Sequence, residues 1–228
     1  MSATLEAIER RDPEWHPWLA VVREVLAAID DREWDAAVPQ RLAPREEGAP
    51  LLAGVPLRIE GRARDQLLQK LGHLEENAVA ALLHVPLLHA CRRRFAAEMP
   101  HAWSQGYCPL CGGWPTLAEV CGVERARYLR CASCGSAWQM HGLSCPYCGI
   151  ADHGKLGSLV PQQPGAKGVI EVCHACQGYL KVFTGLRPAP PAQVMLEDLA
   201  SVELDLAAAQ RGYRRPAGTR YGLEITRS

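Results

Sequence analysis

The 228-residue chain carries no excess of charge of either sign, no long apolar run and no constellation of residues for acid–base or nucleophilic catalysis. Each absence excludes something. Lysine plus arginine number 25, as do aspartate plus glutamate. So balanced a chain lacks the long-range field that draws nucleic acid or an anionic membrane. No segment approaches the ~20 consecutive apolar residues that cross a bilayer. Where a secretory leader has a basic run and then an apolar stretch, the first eleven residues carry Glu6 and Glu9. The expectation is a cytoplasmic protein that is not an enzyme. At 228 residues the chain is long enough for one large domain or two small ones, and its 48% hydrophobic content fits an ordinary globular protein.

What is present is cysteine in a strict pattern. Eight of ten cysteines form four Cys-x-x-Cys pairs: Cys108/Cys111, Cys131/Cys134, Cys145/Cys148 and Cys173/Cys176. A reducing compartment favours metal ligands over disulfides. Four pairs supply the thiolates of two tetrahedral four-cysteine sites. Such a knuckle needs a left-handed residue after its second cysteine, which glycine supplies without steric cost. Gly112, Gly135 and Gly149 stand there in three pairs; in the fourth Gln177 does, with Gly178 following. Cys108-Pro-Leu-Cys111-Gly112 and Cys145-Pro-Tyr-Cys148-Gly149 repeat one phrase 37 positions apart, the mark of a duplicated unit.

Spacing predicts the pairing. Nineteen residues separate Cys111 from Cys131, 24 separate Cys148 from Cys173, and only ten separate Cys134 from Cys145. Sequential grouping follows: Cys108, Cys111, Cys131 and Cys134 at site 1, and Cys145, Cys148, Cys173 and Cys176 at site 2. Cys111 and Cys145 around one centre would mark the interleaved alternative. All-thiolate coordination suits zinc and rubredoxin-type iron alike. Four protein ligands leave no position for substrate. Structural metal of this kind contributes on the order of 10 kcal/mol to folding.

The remaining chain reads as α+β. An all-α region over residues 1–104 contains a helix after Pro13 with Leu19, Val22, Leu26 and Ile29 on one face. A Pro/Gly-rich stretch over 39–61 is a linker or a loop with short extended pieces. A second helix carries Leu67, Leu68, Leu71 and Leu74. A third, over Val79–Leu88, bends or restarts at Pro86. Two tandem four-cysteine modules follow, at 105–143 and 144–187, with β-like pieces such as Tyr128-Leu129 and Val169-Ile170. After the hinge at Pro188, Pro190 and Pro191, residues 188–228 hold a last helix over Ala192–Arg211. Its expected apolar face is Leu199, Val202, Leu206 and Ala209, with Gly212 as C-cap and a frayed tail from Arg214.

Competing readings meet specific objections. Cys145-Pro-Tyr-Cys148 matches the glutaredoxin phrase, but a dithiol enzyme places it between strand and helix, without three sister pairs. Ribbons often bind nucleic acid. Between Cys108 and Lys181, however, six basic and four acidic side chains, with eight thiolates on two divalent ions, leave about −2, which repels phosphate. A rubredoxin-like electron carrier or redox sensor remains an alternative. His141 and His174 are replacement ligands or groups that support the ligands or, more simply because each site already has four thiolates, surface or packing histidines. Cys91 and Cys121 read as buried thiols, Cys121 being the better candidate for reactivity. Trp114, Tyr128, Trp138 and Tyr179 read as an aromatic cover for the metals, and Arg92-Arg93-Arg94 as a solvated helix face.

Longer phrases carry a resemblance. Cys108-Pro-Leu-Cys111-Gly-Gly-Trp-Pro115, Arg127-Tyr-Leu-Arg-Cys131-Ala-Ser-Cys134, Trp138, Cys145-Pro-Tyr-Cys148-Gly149 and Glu171-Val-Cys173-His-Ala-Cys176-Gln-Gly-Tyr-Leu-Lys181 resemble the formate dehydrogenase accessory protein family, FdhE. So do Ala49-Pro-Leu-Leu-Ala-Gly54, Asp198-Leu-Ala-Ser-Val-Glu-Leu-Asp-Leu206 and Gly212-Tyr-Arg-Arg215. The resemblance implies a cytoplasmic assembly factor with two rubredoxin-like modules reported with iron. It implies a chaperone-like role in maturing respiratory formate dehydrogenase, with that enzyme's catalytic subunit as partner and no nucleic acid or membrane insertion. The chain looks shorter than typical members in the helical N-terminal part.

Overall fold

The computed structural model describes residues 2–140, 143–161, 168–218, 223 and 225–227. Among the described residues, six α-helices and eight strands fall in two main blocks. The first block holds α1 (Ser2–Arg11), α2 (His16–Asp30), strand β1 (Leu57–Ile59), α3 (Arg62–Leu71) and α4 (Glu76–Arg94). Pro13 opens a 3-10 turn ahead of α2, where its missing N–H costs nothing. Leu19, Val25, Leu26 and Ile29 form the buried face of α2. α2 ends at Asp30 because Asp31 leaves the helical region and its carboxylate accepts from the Glu33 N–H at 2.9 Å. Arg93 Nη1 donates to the Ile29 carbonyl at 2.6 Å and Nη2 reaches Asp35 at 2.7 Å. Only Arg94 of the arginine cluster is solvent-facing; Arg92 and Arg93 are half-buried, which corrects the solvated-face reading. α4 neither ends nor restarts at Pro86.

The second block is one six-stranded sheet. Its strands are β2 (Leu117–Cys121), β3 (Ala126–Arg130), β4 (Ala137–Gln139), β5 (Leu156–Leu159), β6 (Val169–Cys173) and β7 (Tyr179–Gly185). The order is β4-β3-β2-β7-β6-β5, antiparallel throughout except that β2 and β7 run parallel, with Leu117 opposite Lys181. Each module contributes three strands in the same internal order. The duplicated unit is therefore repeated by translation across the sheet, the first strand of one copy pairing with the third strand of the other. Buried Leu83, Leu87 and Cys91 of α4 share one core with Leu110, Leu129, Trp138 and Leu180. Helical block and sheet are thus not independently cored.

The C-terminal region departs from expectation twice. In place of one helix over Ala192–Arg211 there are two, α5 (Gln193–Ala200) and α6 (Val202–Ala209). Ser201 breaks the run: its φ is −116° and its hydroxyl donates to the Glu197 carbonyl at 2.6 Å. The break re-phases the buried face to Val194, Leu196, Leu204 and Ala208, leaving Leu206 and Ala209 exposed. Gly212 is left-handed at φ 83°, as a residue closing a helix should be. Beyond it, the described residues Arg214 and Ile225–Arg227 are paired, in place of the expected frayed tail. Arg214 N–H bonds the Gln177 carbonyl at 2.8 Å, and β8 (Ile225–Arg227) pairs in parallel with β1. Among the described residues no helix is long and apolar enough to cross a membrane.

Candidate metal centres

The four knuckles share one backbone design. The N–H after each second cysteine of the first three pairs returns to the first cysteine's carbonyl: Gly112 to Cys108 at 2.9 Å, Gly135 to Cys131 at 2.8 Å and Gly149 to Cys145 at 2.9 Å. In all four, the first cysteine's N–H bonds a carbonyl five residues on: Gly113, Ser136, Ile150 and Gly178. Gly112, Gly135 and Gly149 have φ of 73°, 73° and 77°. In the fourth, Gln177 itself is left-handed at φ 58°. Gly178 is needed for space instead: a Cβ there would lie 2.7 Å from Tyr147 Cδ2 and 3.0 Å from Cys176 Sγ.

These turns gather the sulfurs in sequential groups. Cys108, Cys111, Cys131 and Cys134 form one cluster, and Cys145, Cys148, Cys173 and Cys176 the other, each with all sulfurs within 4.8 Å of one another. Resolved contacts are 3.5 Å for Cys108–Cys134, 3.6 Å for Cys111–Cys131, and 3.7 Å for Cys111–Cys134, Cys145–Cys176 and Cys148–Cys173. A disulfide would need about 2.05 Å. A tetrahedron of thiolates with metal–sulfur bonds of about 2.3 Å has edges of about 3.8 Å. The donor set therefore fits a four-coordinate ion, and zinc or rubredoxin-type iron equally.

Electrostatics point the same way. Burial pushes Cys108 well above the ordinary thiol range, and the neighbouring Cys108 sulfur does the same to Cys111. Hydrogen bonds from Cys108 and Cys111 pull Cys131 well below it. Thiolates packed this closely and buried this deeply oppose one another's ionisation, a charge that a bound cation would balance. In the second cluster, burial pushes up Cys145, and Cys176 to about 11. Cys173 is lowered despite its burial, chiefly by the Cys176 and Ala175 backbone N–H groups.

Distant segments complete the first centre. Leu51 and Leu52 donate their N–H groups to the Pro109 and Leu110 carbonyls at 2.8 and 2.9 Å, so the loop before β1 braces the first knuckle. Buried Arg130 pairs with Glu119, and this pair grips Ala189 in the proline hinge: Arg130 Nη2 donates to its carbonyl at 2.9 Å, and its N–H donates to Glu119 at 2.8 Å.

Tyr147, between the cysteines of the third pair, spans the joint between the modules. Its hydroxyl faces the Tyr179 carbonyl at 3.0 Å and that of Pro115 at 3.2 Å. Its ring ends an edge-to-face series through Trp103, Tyr107 and Trp114. Sequence reasoning missed Tyr147, whose local phrase suggested redox chemistry. It singled out Trp114, which belongs to this series, and Trp138 and Tyr179, which are buried. Tyr128 is half-buried.

Among the described residues, the other candidates fall outside the clusters. His174 is exposed and its Nδ1 lies 2.9 Å from the Tyr213 hydroxyl. His141 lies outside the described residues. Cys91 is buried, and burial pushes its thiol to about 12. Cys121 is also buried, and burial, then the Glu119 carboxylate, raises its thiol.

The chain can be set beside known proteins at this point. A family model described as FdhE, C-terminal domain, matches residues 129–221. The FdhE homolog of Pseudomonas aeruginosa is 37% identical over 211 residues, covering 90% of this chain and 66% of that protein. The FdhE homolog of Aquifex aeolicus is 26% identical over 178 residues, covering 74% and 62%. Protein FdhE of Escherichia coli K12 is 32% identical over 121 residues, covering 52% and 38%. The chain thus spans at most about two thirds of the length of these curated relatives. The crystal structure of the FdhE protein from Pseudomonas aeruginosa superposes with a TM-score of 0.56 at 25% identity, covering 97% of this chain and 92% of that one.

Proposed function

Since the chain belongs to the FdhE family, we propose that it is an accessory protein in formate dehydrogenase maturation, engaging that enzyme's catalytic subunit in the cytoplasm and catalysing no reaction itself. The observation that carries this reading is the closed character of both centres. Cys108, Cys111, Cys131 and Cys134 would hold one ion, and Cys145, Cys148, Cys173 and Cys176 the other. Four protein sulfurs at near-tetrahedral spacing leave no position for a substrate. A bound ion supplies cross-linking charge that fixes two knuckles against each other. Residues 105–143 and 144–187 then act as one rigid platform, joined through β2 and β7, with the helical block at 1–104 and the helices of 188–228 packed on it.

Affinity capture with the formate dehydrogenase catalytic subunit tests the role. Co-purification is expected. No association, together with normal formate dehydrogenase activity in a strain lacking the protein, overturns it. Metal analysis after anaerobic purification is expected to give two ions per chain.

A rubredoxin-like electron carrier is the second reading, favoured by the solvent exposure of Cys148 in the second cluster. It requires iron with a reversible visible spectrum; a colourless zinc protein excludes it.

A further inference from the structure

The two centres share a knuckle design but not an environment. At the first, all four cysteines are buried, at 0–1% exposure. Gly135 of its second knuckle is jammed: an added Cβ would stand 2.5 Å from Pro191 and 2.7 Å from His89. At the second, Cys148 is exposed and Cys176 partly so. A Cβ added at Gly149 would meet nothing within 4 Å. A cleft of about 230 Å³ opens beside this centre, lined by Cys145 and Cys173 with Leu156, Leu180 and Arg127. Solvent thus reaches two cysteines of the second set, Cys148 and Cys176, and none of the first.

We propose that the second centre is an exchange site, with Cys148 as the ligand that yields to an incoming thiol, while the first centre is kinetically inert. This rests on the reading that both clusters hold an ion. With an ion held by Cys145, Cys148, Cys173 and Cys176, an incoming thiol would take the place of Cys148 Sγ, one metal–sulfur bond being exchanged for another. The proton leaving the incoming thiol passes to the Cys148 thiolate, so charge is conserved and no oxidant or reductant is consumed. Soft thiol donors are the ligand class, since they match the sulfurs they replace. A cysteine on a partner polypeptide and a free small thiol share that chemistry. The site thereby gains a point at which a partner's cysteine, or an ion in transit, can be received without unfolding the platform.

The test uses the full chain, zinc-loaded under anaerobic conditions, with its metal content measured first. Fewer than two ions per chain overturns the underlying reading as well as this one. Given two, challenge with a chromophoric chelator is expected to release one ion at least about tenfold faster than the other, because the buried ion must wait for a local opening of the fold. Reduced glutathione and a short cysteine peptide are added in separate arms. Acceleration of the fast phase by glutathione identifies a free thiol as sufficient; acceleration by the peptide alone identifies a polypeptide-borne one. Acceleration by neither, or release of both ions in a single phase, overturns the proposal. Alkylation mapped by mass spectrometry on the unmutated protein gives an independent readout. Cys148 is expected to be labelled first and Cys108, Cys111, Cys131 and Cys134 last; labelling of both clusters at equal rates is the contrary result. Cys148→Ser is expected to speed only the fast phase.

Discussion

Lys181, with no solvent-exposed surface, donates its ammonium to the backbone carbonyl of Asp198 at 2.7 Å. The same Nζ reaches the Ser201 carbonyl at 3.4 Å and the Asp205 carboxylate at 2.9 Å. A cation from β7 therefore takes up carbonyls released where α5 stops and α6 begins. Arg215 bonds Asp198 and Asp205 from the other side, at 3.0 and 2.7 Å, and the Tyr179 hydroxyl donates to Asp205 at 2.8 Å. Every charge has an opposite partner, which is what lets the network sit in the packed seam between sheet and helices.

Removing that ammonium leaves two carboxylates to Arg215 and the Tyr179 hydroxyl. Lys181→Met is expected to destabilise the protein by about 3 kcal/mol, as for other buried pairs broken at one partner. Lys70→Met, which removes a half-exposed partner of Glu24, is expected to cost under about 1 kcal/mol. Denaturant unfolding of the metal-loaded proteins checks both; equal losses would show that the seam is not held by its buried charges.

Acid should weaken the same seam. Asp198 is pulled below its ordinary value of 3.8: burial opposes ionisation, but hydrogen bonds and charge from Arg215, with Lys181, outweigh it. A carboxylate with a depressed folded-state pKa contributes stability that is present above the unfolded value and lost as pH falls through the folded one. The advantage of the native protein over Asp198→Asn should therefore be constant from neutral pH down to about pH 5 and shrink below the ordinary value. The difference between the two proteins is the quantity to follow, since acid also protonates the thiolates of both. An advantage that grows below pH 4 would refute the assignment.

The knuckles were legible because their chemistry is local. Two cysteines and a following glycine specify a turn within five residues, and Gly112, Gly135 and Gly149 take the backbone sign their position demands. The sequential grouping followed from linker lengths alone. The end of the chain was illegible for the opposite reason. The apolar period over 192–211 is continuous, and nothing near Ser201 announces the break; the partner that favours it, Lys181, lies 20 positions upstream. The stretch over 39–61 reads as a linker or a loop with short extended pieces, and β1 is such a piece; that Leu51 and Leu52 brace the first knuckle was not legible because their partners, Pro109 and Leu110, are more than 50 positions away. Tyr147 was obscured by a local phrase more familiar from redox enzymes.

Gln177 meets at φ the demand that Gly112 meets in the first knuckle, while Gly178 meets a demand for space that Gly113 does not face, since a Cβ added at Gly113 would stand 3.4 Å from the Cys111 sulfur. Gln177 holds φ 58° with a side chain, and its Nε2 donates to the His174 carbonyl at 2.8 Å. Gln177→Gly relieves a left-handed strain of about 1 kcal/mol. It also removes an exposed hydrogen bond, so its net effect should be within about 1 kcal/mol of neutral. Gly178→Ala drives a methyl group against Tyr147 and the Cys176 sulfur. It is expected to cost about 1–3 kcal/mol by overpacking and to loosen metal at the second centre only. Thermal melts with chelator-release kinetics separate the two; a Gly178→Ala protein that retains metal like the parent would place the tight contact elsewhere.

Tyr147 offers the clearest separation of scaffold from reagent. Its hydroxyl sits between the Pro115 and Tyr179 carbonyls, and burial pushes its ionisation far above the ordinary range, so it is held neutral as a donor. Tyr147→Phe keeps the ring in its edge-to-face contact with Trp114 and loses only that donor, for an expected cost of about 1 kcal/mol. Tyr147→Ala also empties the space between the modules and should cost about 3–5 kcal/mol. Were the third pair a dithiol reagent, the hydroxyl would bear on thiol reactivity before stability. On the scaffold account, the rate of Cys148 alkylation in Tyr147→Phe matches the parent while its unfolding midpoint falls. A changed alkylation rate at unchanged stability would reverse that assignment.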